Sequence, residues 1–186
     1  MKKNFFKLMG MMFVLLISAS FLVACAPEEE AIVQKYAIPD DLAISIEIYE
    51  GNVESANLKG TITKADLLLI EQQNITVTTI KNEVSTTKVY VGYSVADLIA
   101  LLELSLPAIT GVKAIGTDAW ESDYEITSFA DSYITIGFEE DGAFAADKDE
   151  EELYQAPRFL SDKNSTSSKA TAKVIAKIVI NPIEEV

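Results

Sequence analysis

Residues 75–102 read ITVTTIKNEVSTTKVYVGYSVADLIALL. This stretch contains the strand and helix patterns from which we infer the fold. Two runs, 75–80 and 88–91, are rich in β-branched and aromatic residues. Such runs favour strands, and the polar segment 81–87 between them predicts a connecting loop. This part of the sequence therefore predicts a β-hairpin.

The apolar spacing changes after Gly92, where we expect a tight turn. Four apolar residues then recur at helical spacing, namely Val95, Leu98, Ile99 and Leu102. Spacing of this kind places one apolar stripe on a helix. Ser94 is the predicted N-cap, and Asp97 lies where its charge favours the positive end of the helix dipole.

Further strands are predicted on both sides of this segment. The alternation of Leu42, Ile44, Ile46 and Ile48 predicts the first strand, and residues 112–117 and 133–138 predict two more. Residues 63–66 predict the cap of a short helix that continues to about Glu71. The last strand, 172–180, is apolar on both faces and should be central in its sheet. The fold class is therefore α+β, a mixed β-sheet domain with a few short helices.

The first 24 residues are predicted to be a lipoprotein signal peptide. Three lysines precede an uncharged, mostly apolar run at 8–22, as in a secretory signal. The run ends in LVAC at 22–25, a lipobox in which Cys25 would be lipidated. The alternatives are an ordinary secretory signal or an uncleaved membrane anchor beside a chance cysteine. The lipobox predicts a protein anchored by lipid to the extracytoplasmic face of the cell membrane.

Residues 25–40 are predicted to be an acidic tether, and residues 41–186 the folded domain. The tether carries three consecutive glutamates, 28–30, and two prolines. Packing of residues 32–38 against the domain is the alternative. Because Cys25 is the only cysteine, the mature domain has no thiol for a disulfide or a thiolate site.

The charge of the chain argues against nucleic-acid partners. The sequence has 29 acidic and 15 basic residues, three of the latter in the signal peptide, so the mature chain carries a formal charge of −17. Such a field repels nucleic acid and anionic lipid, and it favours cationic partners.

The acidic segment 139–152 is predicted to be a solvated, mobile loop. Calcium is the alternative that so many carboxylates suggest, but the ligand spacing of an EF-hand is not met. No metal site is therefore predicted.

Several segments resemble the oxidoreductase molybdopterin-binding domain family, which has the sulfite oxidase-like fold. The matching segments are 61–67, 75–80, 90–98 (YVGYSVADL), 114–124, 157–160 and 172–180. In catalytic members a cysteine that ligates molybdenum follows the strand resembling 75–80, yet segment 81–87 has no thiol. The chain also has no histidine and a single arginine, Arg158, to hold a cofactor phosphate. The resemblance thus implies the fold, while molybdopterin is not predicted as a cofactor.

No catalytic residues are predicted, although a carboxylate pair of the glycosidase kind stays open. There is no histidine, no free thiol and no nucleophile or phosphate-binding motif. The sequence therefore favours a non-catalytic lipoprotein domain that binds a small ligand or an extracytoplasmic protein partner. The alternative is an accessory subunit of an extracytoplasmic flavin or molybdenum oxidoreductase.

The predicted ligand site consists of Asp118, Trp120 and Tyr124. Trp120 is the only tryptophan, and it lies in a polar segment after a predicted strand. An aromatic platform beside carboxylates suits a cationic or amphipathic group. The family resemblance places this segment near the loop that follows Ile80. The alternative is that Trp120 covers one edge of the core.

Overall fold

The structure is a computed structural model, and it describes Ile32 and residues 34–183. The predicted signal peptide and the predicted lipid anchor Cys25 lie outside the described residues. Eleven strands and two short α-helices are found in the described part, so the predicted α+β class is confirmed. No helix in this part of the chain has both the length and the apolar character needed to cross a membrane.

The first sheet has five strands in the order β2-β1-β11-β5-β6. Their bounds are β1 Ser45–Glu50, β2 Leu58–Thr63, β5 Val112–Gly116, β6 Glu121–Tyr124 and β11 Ile175–Ile180. β1 runs parallel to β11 and the other pairs are antiparallel, which makes the sheet mixed. The final strand is therefore central, as its two apolar faces predicted.

The second sheet has six strands, five of them in the order β10-β9-β7-β4-β3, and the sixth, β8, pairs with the C-terminal half of β7. Their bounds are β3 Gln73–Lys81, β4 Val84–Ser94, β7 Tyr133–Glu140, β8 Ala143–Ala146, β9 Arg158–Leu160 and β10 Thr171–Ala172. All its pairs are antiparallel.

The predicted hairpin is confirmed, but the loop predicted at 81–87 is too long, because β3 and β4 stay paired almost to the turn. Lys81 pairs with Val84, and only Asn82 and Glu83 lie in the turn. Their φ angles of 49° and 65° are both positive, as a two-residue turn of type I′ requires. The turn lacks the usual glycine, and for this reason its sequence looks like part of a longer polar loop.

Both predicted helices are present. Helix α2 spans Val95–Leu101, and the hydroxyl of Ser94 accepts a hydrogen bond of 3.2 Å from the Asp97 amide, which confirms the predicted cap. Helix α1 spans only Lys64–Leu67, with a capping box between Thr63 and Asp66. It ends earlier than predicted, and Leu68 and the residues after it form turns.

Gly92 lies within β4 and not in the predicted tight turn. A Cβ atom built on it would lie 2.7 Å from the carbonyl oxygen of Ile134 on the neighbouring strand β7. Glycine is therefore needed here for close backbone approach, since real Cβ atoms essentially never come within 3.0 Å of such an atom.

One hydrophobic core collects side chains from both sheets and from α2. Ile46 and Ile178 come from the first sheet, Ile134 and Phe159 from the second, and Leu98 from the helix. All are essentially fully buried. The two sheets therefore share this main core, and two smaller buried clusters lie within the second and the first sheet respectively.

The folded domain begins before residue 41, where the sequence had placed its start. The Gln34 side-chain amide donates a 2.9 Å hydrogen bond to the Ile70 carbonyl, and the Tyr36 amide donates one of 2.8 Å to the Gln72 side chain. Ile38 is buried in the core. Residues 34–40 of the predicted tether thus belong to the domain, because their apolar and amide groups find partners there.

Most of the acidic segment is exposed to solvent, as predicted, but the segment is not the unstructured loop that we expected. Residues 139–146 form the β7–β8 hairpin, and Asp147 is buried in an ion pair with Arg158. Asp149 accepts hydrogen bonds from the backbone amides of Glu151 and Leu153, which organise the following turn. The partner of Asp147 is eleven residues away, so local composition did not reveal its burial.

Candidate functional site

Trp120 projects from the tight connection between β5 and β6. The Asp118 carboxylate accepts a 3.0 Å hydrogen bond from the Trp120 amide, and the Gly116 amide donates to the Trp120 carbonyl at 2.9 Å. Ala119, which lies between Asp118 and Trp120, has a φ of 63°. This turn fixes the backbone while the indole stays 74% exposed, so Trp120 does not cover the core.

A cleft of about 410 Å³ opens beside the indole, and we call it the Trp120 cleft. Its lining comes from the β5–β6 connection, from Gln155 and from the chain around β10. The lining residues are Thr117, Asp118, Trp120, Ser122, Gln155, Thr171, Ala172, Lys173 and Val174. The cleft therefore combines an aromatic face with one carboxylate and one ammonium group.

Tyr124, the third predicted site residue, does not line this cleft. It is buried, and its ring lies 5.3 Å from that of Phe159 between the two sheets. Burial raises the pKa of Tyr124 to about 12, an effect that the neighbouring Ser122 side chain partly offsets. The hydroxyl nevertheless makes no hydrogen bond of acceptable geometry among the described residues. The structure thus brings Asp118 and Trp120 together and assigns Tyr124 to the core.

Sequence reasoning missed the opposite wall of the cleft. Gln155 and Lys173 lie 37 and 55 residues after Asp118 in the chain. Gln155 precedes β9 and Lys173 follows β10, and these two strands pair with each other. Val174 has a φ of 46°, which is unusual for a β-branched residue. Its carbonyl accepts from the Thr117 amide at 2.9 Å, and its amide donates to the Gln155 carbonyl at 3.1 Å. These two bonds hold the strained backbone in place.

A second, mainly apolar cleft of about 340 Å³ shares Thr117 and Val174 with the first. The hydroxyl of Tyr154 donates a 2.7 Å hydrogen bond to Asp41 at its rim. This bond lowers the pKa of Asp41 and raises that of Tyr154. The Trp120 cleft therefore has an apolar cleft as its neighbour, with Thr117 and Val174 lining both.

The residues present do not fit a molybdenum cofactor. The hairpin turn after Ile80 offers no soft ligand, and it is not part of the Trp120 cleft, contrary to the placement that the family resemblance implied. The guanidinium of Arg158 is committed to Asp147. The described residues also contain no cluster of three acidic, histidine or cysteine side chains arranged to hold a metal ion.

Comparisons with known proteins leave the family open. No protein-family model matches the chain, and no curated protein matches it significantly.

Proposed function

We propose that the protein is a lipid-anchored extracytoplasmic lipoprotein whose domain binds a small cationic or amphipathic ligand in the Trp120 cleft without chemical conversion. The exposure of Trp120 beside this cleft is the observation that carries the proposal. An exposed indole contributes little hydrophobic stabilisation to the fold, although its backbone position is fixed. A role in ligand binding explains why such a large apolar side chain is held in solvent.

The chemistry of the cleft favours a ligand with two different ends. The indole face and the Asp118 carboxylate attract a cationic group, and the overall negative charge adds to this attraction. Lys173 supplies hydrogen-bond donors for an anionic or carbonyl group of the same ligand. A zwitterion with a quaternary ammonium group, such as glycine betaine, has both features.

The sulfite oxidase-like fold is part of the same proposal. It is supported by the succession of a hairpin, a capped helix and a strand between β3 and β5, which follows the order of the matching segments. The absence of a suitable ligand set for molybdenum supports a non-catalytic member of that family.

The test is a calorimetric titration of the purified protein with tetramethylammonium, glycine betaine and acetate. Binding should follow the order betaine, tetramethylammonium, acetate. Replacing Trp120 by Ala should weaken betaine binding about two- to fivefold, because an exposed cation–π contact is worth about 0.5–1 kcal/mol. The melting temperature should hardly change, since little surface is buried by the indole.

Leu153→Ala is the matched control, because Leu153 is also an exposed apolar residue and does not line the cleft. It should leave binding unchanged. Equal affinity of the Trp120→Ala variant and the wild type for betaine would contradict the proposal. Retention of a flavin or molybdenum oxidoreductase on the immobilised protein would instead support the accessory-subunit alternative.

A further inference from the structure

Two adjacent leucines are exposed directly after helix α1. Leu68 is 46% and Leu69 is 55% exposed, and they are the only sequence-adjacent pair of large exposed apolar residues in the described part of the chain. Single exposed apolar residues are ordinary on protein surfaces, whereas a cluster indicates contact with another apolar phase. We therefore expect this pair of leucines to contact another apolar surface.

The leucines lie where the chain enters the domain. The Gln34 side-chain amide donates hydrogen bonds to the carbonyls of Leu68 at 3.4 Å and Ile70 at 2.9 Å. Ile32, two residues before Gln34, is 48% exposed. We call Ile32, Leu68 and Leu69 the apolar patch.

The length of the preceding chain limits how far this patch can lie from the proposed anchor. Gln34 is the ninth residue after Cys25. Fully extended chain covers about 3.3–3.6 Å per residue, which gives a reach of about 30 Å. A lipid on Cys25 thus holds the point where the chain enters the domain within about 30 Å of the bilayer surface.

We propose that the apolar patch rests on a zwitterionic phospholipid bilayer, with the Leu68 and Leu69 side chains among the lipid headgroups. This inference rests on the proposed lipidation of Cys25. A zwitterionic surface is the occupant that fits, because the strongly acidic chain is repelled by anionic lipid. The contact gives the tethered domain one preferred orientation on the membrane.

The mature protein offers a direct test, because lipidation of Cys25 leaves no other thiol. The full chain with Leu69→Cys is produced in a host that processes lipoproteins, labelled with a polarity-sensitive fluorophore and placed in phosphatidylcholine vesicles. Val84→Cys is the control, since Val84 is 64% exposed at the tip of the β3–β4 hairpin. Quenching by lipids that carry a nitroxide is then compared at the two positions.

The label at position 69 should emit at shorter wavelength and be quenched several-fold more strongly than the label at position 84. Addition of anionic lipid should reduce this difference. Protein that floats with the vesicles but shows equal quenching at both positions would overturn the inference and leave the anchor intact. Protein that does not float with the vesicles would overturn both the anchor and the inference.

Discussion

Replacing Asp147 by Asn should destabilise the domain by about 3–5 kcal/mol, the usual cost of leaving a buried charge without its partner. The side chains of Asp147 and Arg158 are only 5% and 10% exposed. They meet through two contacts, and the Nη2–Oδ1 distance is 2.7 Å. The Asn variant would keep the shape of the side chain and leave the guanidinium buried beside a neutral group.

Thermal unfolding followed by circular dichroism measures the effect. A domain of this size loses about 2–4 °C per kcal/mol, so the melting temperature should fall by about 6–20 °C. Glu150→Gln is the matched control, because it removes one negative charge from an exposed position in the same segment. That change should stay within about 0.5 kcal/mol.

A double variant separates loss of pairing from loss of packing. Asp147→Leu combined with Arg158→Met replaces the ion pair with apolar groups, and it should recover most of the lost stability. If Asp147→Asn lowers the melting temperature no more than Glu150→Gln, the pair is not buried as described and the reasoning fails.

Two more predictions concern Glu139 and Gly92. Hydrogen bonds from Lys35, Tyr36 and Asn74 lower the pKa of Glu139 from 4.5 to about 2. The stabilisation that the ionised Glu139 carboxylate gives the folded state is therefore complete above pH 4.5 and is lost as the pH falls towards 2. Hydrogen exchange should accordingly show residues 34–38 opening between these pH values. Glu139→Gln should abolish this pH dependence. Gly92→Ala forces a Cβ atom against the backbone of β7, and it should lower the free energy of unfolding in urea by about 1–3 kcal/mol. Gly111→Ala is the control and should be close to neutral, because the nearest atom to its Cβ would be 3.7 Å away. Equal costs for the two variants would contradict the close approach at Gly92.

The sequence predicted those elements whose signal is local. The capped helix α2 was found because a cap and a 3.6-residue apolar repeat adjoin, and β11 was placed centrally because both its faces are apolar. The β3–β4 hairpin was predicted with too long a loop, since Asn82 and Glu83 turn the chain without glycine. The burial of Asp147 depends on a partner beyond the reach of any local pattern.

The candidate site was predictable only on one side. Asp118 and Trp120 are close in sequence and share one turn, so composition was sufficient to bring them together. Tyr124 follows on strand β6, whose pairing with β5 was not expected, and that pairing directs the ring into the core. Lys173 and Gln155 are brought to the cleft by strand pairing, and no local sequence pattern indicates that pairing.

The position of β11 has a consequence for the order of folding. This last strand fills the gap between β1 and β5, and Glu47 pairs with Lys177, about 130 residues later. The first sheet therefore cannot close until β11 has been synthesised, and contacts of such high sequence separation form slowly.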